Sequence, residues 1–307
     1  MRTWHKPLMA ATALMALAAA AFLVLYLADG RQLDGMPLWA KPLKFTVSFS
    51  LYFLTWAWLF SLRHRATRTA WWSGTVMAVF GVIEVGLIVY QAARVHRSHF
   101  NESTPLDATI WALMGITIGV LLFAQVIAAA LVLIERQADP VSTWAIRLGL
   151  VISTVGIGLG ALMAFPVLGT DFPEGIAGAH SVGVPDGGPG LPLVGWSTTG
   201  GDLRIPHFVG MHGLQLMPLL AMGLALIVAS ETVRLRLVLI AGGFYTGLLA
   251  LATWQALRGQ PLLQPDGLTL SALGVLLVVT LGAIVAGLKK TEKAAANTAT
   301  PKTESHR

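Results

Sequence analysis

One acidic side chain sits in the middle of a long apolar stretch: Glu84, in Val82-Ile83-Glu84-Val85-Gly86-Leu87. An ionised carboxylate in hydrocarbon is prohibitively unstable, so this group must be protonated, paired or turned to water. It is therefore either a proton-handling or binding group, or one whose pairing only tightens helix packing. His212 is the imidazole best placed to act with it, three residues before Gln215 and on the same helical face. Carboxylate and imidazole together can exchange a proton, or fix the tautomer of a histidine that ligates a metal. At about 1.5 Å of rise per residue, Glu84 lies ~13 Å below one membrane face, and His212 and Gln215 roughly 9–14 Å below the same face.

More polar residues fall in that slab. Lys44, Ser48, Tyr52 and Thr55 recur at i, i+4, i+8 and i+11, which keeps them on one helical face. Lys44 has a stem long enough to reach inward, and with His212 it is a candidate partner for Glu84. Gln91, seven residues after Glu84, shares its face. Lys44, Ser48, Tyr52, Gln91 and Gln215 are therefore the candidate substrate-binding residues, and Glu84 and His212 the candidate catalytic ones. His207 and His212 are five apart and point about 140° away from each other. They cannot share a metal as an i, i+4 pair would, so each needs a partner from another segment. His99, just beyond one apolar stretch, and His180, between two others, are on the correct side. His212, His207 and His99 are the candidate cofactor ligands, with haem as the candidate cofactor.

The elements that must position these residues are transmembrane helices. Apolar residues make up 55% of the chain and charged residues 12%. They are grouped in blocks at 7–28, 42–62, 70–93, 108–134, 143–167, 206–230, 237–257 and 267–288. A bilayer core needs about 20 apolar residues per helix, so the expected fold is an all-α polytopic bundle of about eight spans, with the bilayer as its first partner. There is no cysteine, which removes disulfides, iron–sulfur clusters and thiolate metal sites. The net charge of +6 does not indicate nucleic acid, because Lys and Arg sit between and beyond the apolar blocks and form no basic groove.

Those charges set an orientation. With the N-terminus inside, the inner segments carry Arg2, Lys6, Arg63, Arg65, Arg68, Arg136, Arg147, Arg234, Arg236, Lys289, Lys290, Lys293, Lys302 and Arg307. The outer segments keep only Arg31, Lys41, Lys44, Arg94, Arg97, Arg204 and Arg258. The positive-inside rule then places both termini in the cytoplasm. The first block resembles a signal peptide in charge, but its apolar run is long and no small-x-small cleavage site follows it, so it reads as a retained helix.

Two stretches repeat at one offset. Tyr90-Gln91-Ala92-Ala93-Arg94 ends the third block and Trp254-Gln255-Ala256-Leu257-Arg258 the seventh. Pro42-Leu43-Lys44-Phe45 opens the second and Pro206-His207-Phe208 the sixth. This suggests two parallel four-helix halves, 1–137 and 138–290. The segment 168–205, rich in Gly and Pro, reads as turns, either a passive linker or a cap over the polar slab. The tail, 291–307, is too polar to bury a core and is expected to be disordered. Gly156, Gly158 and Gly160 have no strand–turn–helix context for a nucleotide fingerprint; small residues in a span let helices approach closely. Most Trp residues fall near block ends, as in an interfacial belt.

Lys41-Pro42-Leu43-Lys44-Phe45 and Pro206-His207-Phe208-Val209-Gly210-Met211-His212-Gly213-Leu214-Gln215 resemble segments of uncharacterised bacterial polytopic membrane proteins. The plan of two parallel four-helix halves with histidines inside helices is similar to haem A synthase. That family pairs histidines within each half, whereas here the first half offers Lys44 and Phe49. The expected function is a haem- or quinone-linked redox protein; the alternatives are a small-solute permease and a non-catalytic scaffold.

Overall fold

The computed structural model describes residues 4–63, 67–135, 139–165 and 172–299, with side chains to Lys289. Arg2, Arg65, Arg136, Lys302, Arg307 and the start of the long loop lie outside the described residues. Helices α1 (Lys6–Ala28), α2 (Ala40–Ser61), α3 (Arg68–Ala93), α4 (Pro105–Leu133), α5 (Pro140–Leu159), α8 (Glu231–Leu257) and α9 (Gly267–Ala299) are long and apolar enough to cross a membrane. The sixth apolar block is a bent pair, α6 (Arg204–Met211) and α7 (Gly213–Ile227), angled by 44°. The protein is an all-α polytopic bundle. The last helix runs to Ala299, into the tail expected to be disordered, where Lys and Ala are strong helix formers; residues 300–307 are outside the described residues.

Local chemistry explains the boundaries. Thr67, Thr104, Asp139 and Ser230 cap α3, α4, α5 and α8, each accepting a backbone N–H of the first turn, and Pro opens α4 and α5. On the face away from the long loop, Arg147 donates to the carbonyl of Leu133, the last residue of α4, and Arg236 of α8 donates to the Gly287 carbonyl within α9. Burial is inverted relative to a water-soluble domain. Phe53, Trp56, Met77, Leu121, Leu150 and Leu214 form a core across α2, α3, α4, α5 and α7. Yet Leu226, Ile227, Val278 and Leu281 are mostly exposed, apolar side chains suited to lipid. Trp71, Trp72 and Trp144 lie exposed near helix ends, whereas Trp56 is the exception, wholly buried in the core.

The packing pattern recurs. α1 lies on α2 and α3, and α3 on α4; α5 lies on α6, α7 and α8, and α8 on α9, with α4 against α5 joining the two sets. The repeated helix ends also fold alike. After α3, Val95 (φ 60°) donates to Ala92 and His96 to Gln91; after α8, Gly259 (φ 69°) donates to Ala256 and Gln260 to Gln255. Both are Schellman closures, which need one left-handed residue past the helix. Gln91 and Gln255 each donate to the carbonyl six residues on, and Arg94 and Arg258 each lie over the aromatic ring four residues back.

Short hairpins prepare the entries to α2 and α6. β1 (Gln32–Leu33) and β2 (Met36–Pro37) turn through Asp34-Gly35, both with positive φ, the type I′ geometry that Asp-Gly favours. β3 (Ser181–Val182) pairs with β4 (Gly201–Asp202), closing the long loop on itself.

Candidate functional site

The long loop is a fixed cap. Asp186 accepts the backbone N–H groups of His180 and Ser181 and pairs with His180 Nδ1 at 2.7 Å. Buried Asp202 accepts Ser197 N–H and pairs with Arg204, whose guanidinium also donates to the Gly195 carbonyl. Lys44 Nζ donates to the neighbouring Val194 carbonyl at 2.9 Å. The loop also bonds the α3–α4 connection (Ala177 N–H to Phe100, Glu102 N–H to Gly175) and the α8–α9 connection (Gln264 Nε2 to Thr198). It therefore ties together the connections at that end of the bundle.

The histidines of this face are each fixed through one ring nitrogen. His207 Nδ1 donates to the Gly156 carbonyl at 2.8 Å. The approach depends on glycines: a Cβ on Gly156 would lie 2.3 Å from the Gly210 backbone, and one on Gly160 2.9 Å from the His207 ring. His212 caps the bend between α6 and α7, its Nδ1 3.3 Å from Gln215 Oε1 and its ring edge-on to Phe208. Pro218 removes a helical donor just beyond the bend, and the Val209 carbonyl takes the Tyr245 hydroxyl at 2.5 Å. His99 packs against Phe45, Phe100 and Trp111, with Nδ1 3.1 Å from Ser98 Oγ. Burial holds its imidazole well below the ordinary range, and the charges of Lys41, His180 and His207 add to that. His180 is lowered too, by burial first and against the opposing bond to Asp186.

Glu84 is 1% exposed. Its Oε2 accepts the Thr117 hydroxyl at 2.5 Å, and Oε1 has no hydrogen-bond partner. Neither candidate partner, Lys44 or His212, makes that bond: Lys44 turns up to the loop and His212 along its own helix. The cation whose field reaches Glu84 is Lys41. Tyr52 donates to Gln125 Oε1 at 2.7 Å, Gln125 reaches Thr154 at 3.4 Å, and Gln215 reaches Thr55 at 3.3 Å. These pairs run a polar seam between α2 and the helices α4, α5 and α7; Ser48 is half-buried on the same helix. Gln91 does not face a ligand space: it is fully buried, donating to Arg97 O and Asp107 Oδ1 and accepting from Arg94.

Sequence reasoning passed over Lys41, Asp107, Thr117 and Gln125. Asp107 is the hub of the α3–α4 turn, accepting from Gln91, Arg94 and Thr104. Among the described residues no group of three His, Asp or Glu could hold a bare metal ion. No family model, curated protein or solved structure matches the chain.

Proposed function

We propose that this is a multi-pass redox protein of the bacterial inner membrane that holds a haem or a quinone beneath the 172–203 loop. The observation supporting this is the state of the histidines. His99, His180, His207 and His212 each engage Nδ1 within the chain, and none has a hydrogen-bond partner on Nε2 among the described residues. An anchored Nδ1 with an open Nε2 is the second-shell arrangement of ligating histidines. Haem iron needs only one or two imidazoles, so the lack of a three-ligand cluster suits it. His207 would hold such a group, with His99 or His212 as a further ligand or hydrogen-bond donor. A haem or quinone would supply one-electron chemistry there, with proton transfer in the quinone case. Glu84 is the proposed proton-handling group inside the bundle, its carboxyl oriented by Thr117.

The test is an absorption spectrum of the purified protein with and without added haem, and a reduction assay with a soluble quinone. The expected result is a Soret band that His207→Ala abolishes while membrane insertion is unchanged, or quinone reduction lost in the same variant. A wild type with neither property removes the redox reading. A permease is the second reading, favoured by Lys41 and Lys44: neither has a carboxylate within ion-pair distance among the described residues.

Two further parts of the proposal concern architecture. The recurrent packing and matching helix ends support duplication of a four-helix unit, 1–137 and 138–290. Basic-residue bias supports cytoplasmic termini. Alkaline phosphatase fused at the C-terminus should therefore be inactive and fused within 175–200 active; the opposite pattern reverses the orientation.

A further inference from the structure

We propose that Lys41 and Lys44 form a binding site for a phosphate-class oxyanion between α2 and the 172–203 loop. The two lysines are three residues apart on α2, so they share a face. Lys44 Nζ and the Arg204 guanidinium bind the successive carbonyls of Val194 and Gly195, so two cations converge on adjacent peptide units of the loop. Lys41 lies close enough to both to feel their repulsion. Both lysines are half-buried. Asp202 is committed to Arg204, Asp34 to Arg97, Asp186 to His180 and two backbone N–H groups, and Asp29 to Arg31, while Glu102 and Glu174 stay exposed on the same face and pair with neither lysine. Glu84 lies deeper, bonded to Thr117. Two ammonium groups thus remain without a carboxylate at ion-pair distance among the described residues, an arrangement a bound anion relieves.

The donor chemistry selects the anion. The only guanidinium among these groups is occupied by Asp202 and a carbonyl, so no free fork remains for a planar carboxylate. Lys41 and the unused N–H groups of Lys44 are point-charge donors, which suit a tetrahedral phosphate. Because α2 begins here at the end of a membrane span, the phosphate could be inorganic or the headgroup of a phospholipid. The site goes beyond the redox reading and stands without it.

The experiment uses the full chain in detergent, titrated calorimetrically with inorganic phosphate against chloride at matched ionic strength, with co-purified phospholipid measured by mass spectrometry. Free phosphate as the source predicts binding that Lys41→Gln and Lys44→Gln each weaken about tenfold or more, the loss expected for a charge-assisted hydrogen bond. A lipid source predicts phospholipid retained by the wild type and lost in the double variant. Lys41→Arg keeps the charge and should keep binding, and Lys6→Gln, on the other face, should change nothing. Helical circular dichroism and gel filtration establish that each variant is folded. A wild type that binds phosphate no better than chloride and retains no more phospholipid than the double variant overturns the site. A missing Soret band leaves this result untouched, so the two readings fail separately.

Discussion

Asp107→Ala is expected to destabilise the protein by about 3 kcal/mol, the lower end of the cost of breaking a buried ion pair. The side chain is fully enclosed, yet it lies at a helix end near the surface, which argues for the lower figure. Its loss leaves buried Gln91 Nε2 with only the Arg97 carbonyl and Arg94 Nη1 with only Gln91 Oε1, and removes the acceptor of the Thr104 hydroxyl. Arg258, at the similarly closed end of α8, pairs with Asp266, whose side chain is 40% exposed. Water can replace that carboxylate, so Asp266→Ala should cost much less. Thermal unfolding of the two variants in detergent tests the comparison. Equal losses would mean that burial does not distinguish the two turns. Asp107→Asn, which keeps the shape and an acceptor, should fall between wild type and Asp107→Ala.

Hydrophobic blocks located the spans closely because hydropathy is a property of each segment alone. The second block, 42–62, is the helix Ala40–Ser61, and the third, 70–93, is Arg68–Ala93. Partners across helices were less legible, since a single sequence gives each helix its faces but not its neighbours' rotation. Lys44 was read as reaching inward to Glu84; the cap's Val194 carbonyl drew it outward instead. Thr117, the hydroxyl that does reach Glu84, lies on the next helix, and nothing in its sequence context marks it. The bend at His212 had a signal, Gly213 followed by Pro218, as did the hairpin at Asp34-Gly35; the apolar pattern overrode both. The pairing of His212 with Gln215 was legible because three residues apart on a helix means adjacent.

The Gly156–Gly160 run carries the last and most severe expectation. Small residues there were read as a place for helices to approach, and α5 does meet α6 with Gly156 against Gly210. A Cβ on Gly156 would stand 2.3 Å from the Gly210 carbonyl carbon and the Met211 nitrogen, and backbone cannot turn aside as a side chain can. Gly156→Val must therefore force α5 and α6 apart, at an overpacking cost of about 3 kcal/mol or more. The same movement carries the Gly156 carbonyl away from His207 Nδ1, so the imidazole loses its anchor as the fold weakens. Gly158→Ala meets nothing within 4 Å and should unfold like the wild type. Gly160→Ala meets only the His207 ring, which can rotate, so it should keep the fold and disturb that histidine alone. Thermal unfolding, with the His207 ring nitrogens followed by ¹⁵N NMR, separates the three. A Gly156→Val variant as stable as Gly158→Ala would place α5 and α6 further apart than this contact requires, and with it would go the glycine slot that aims His207.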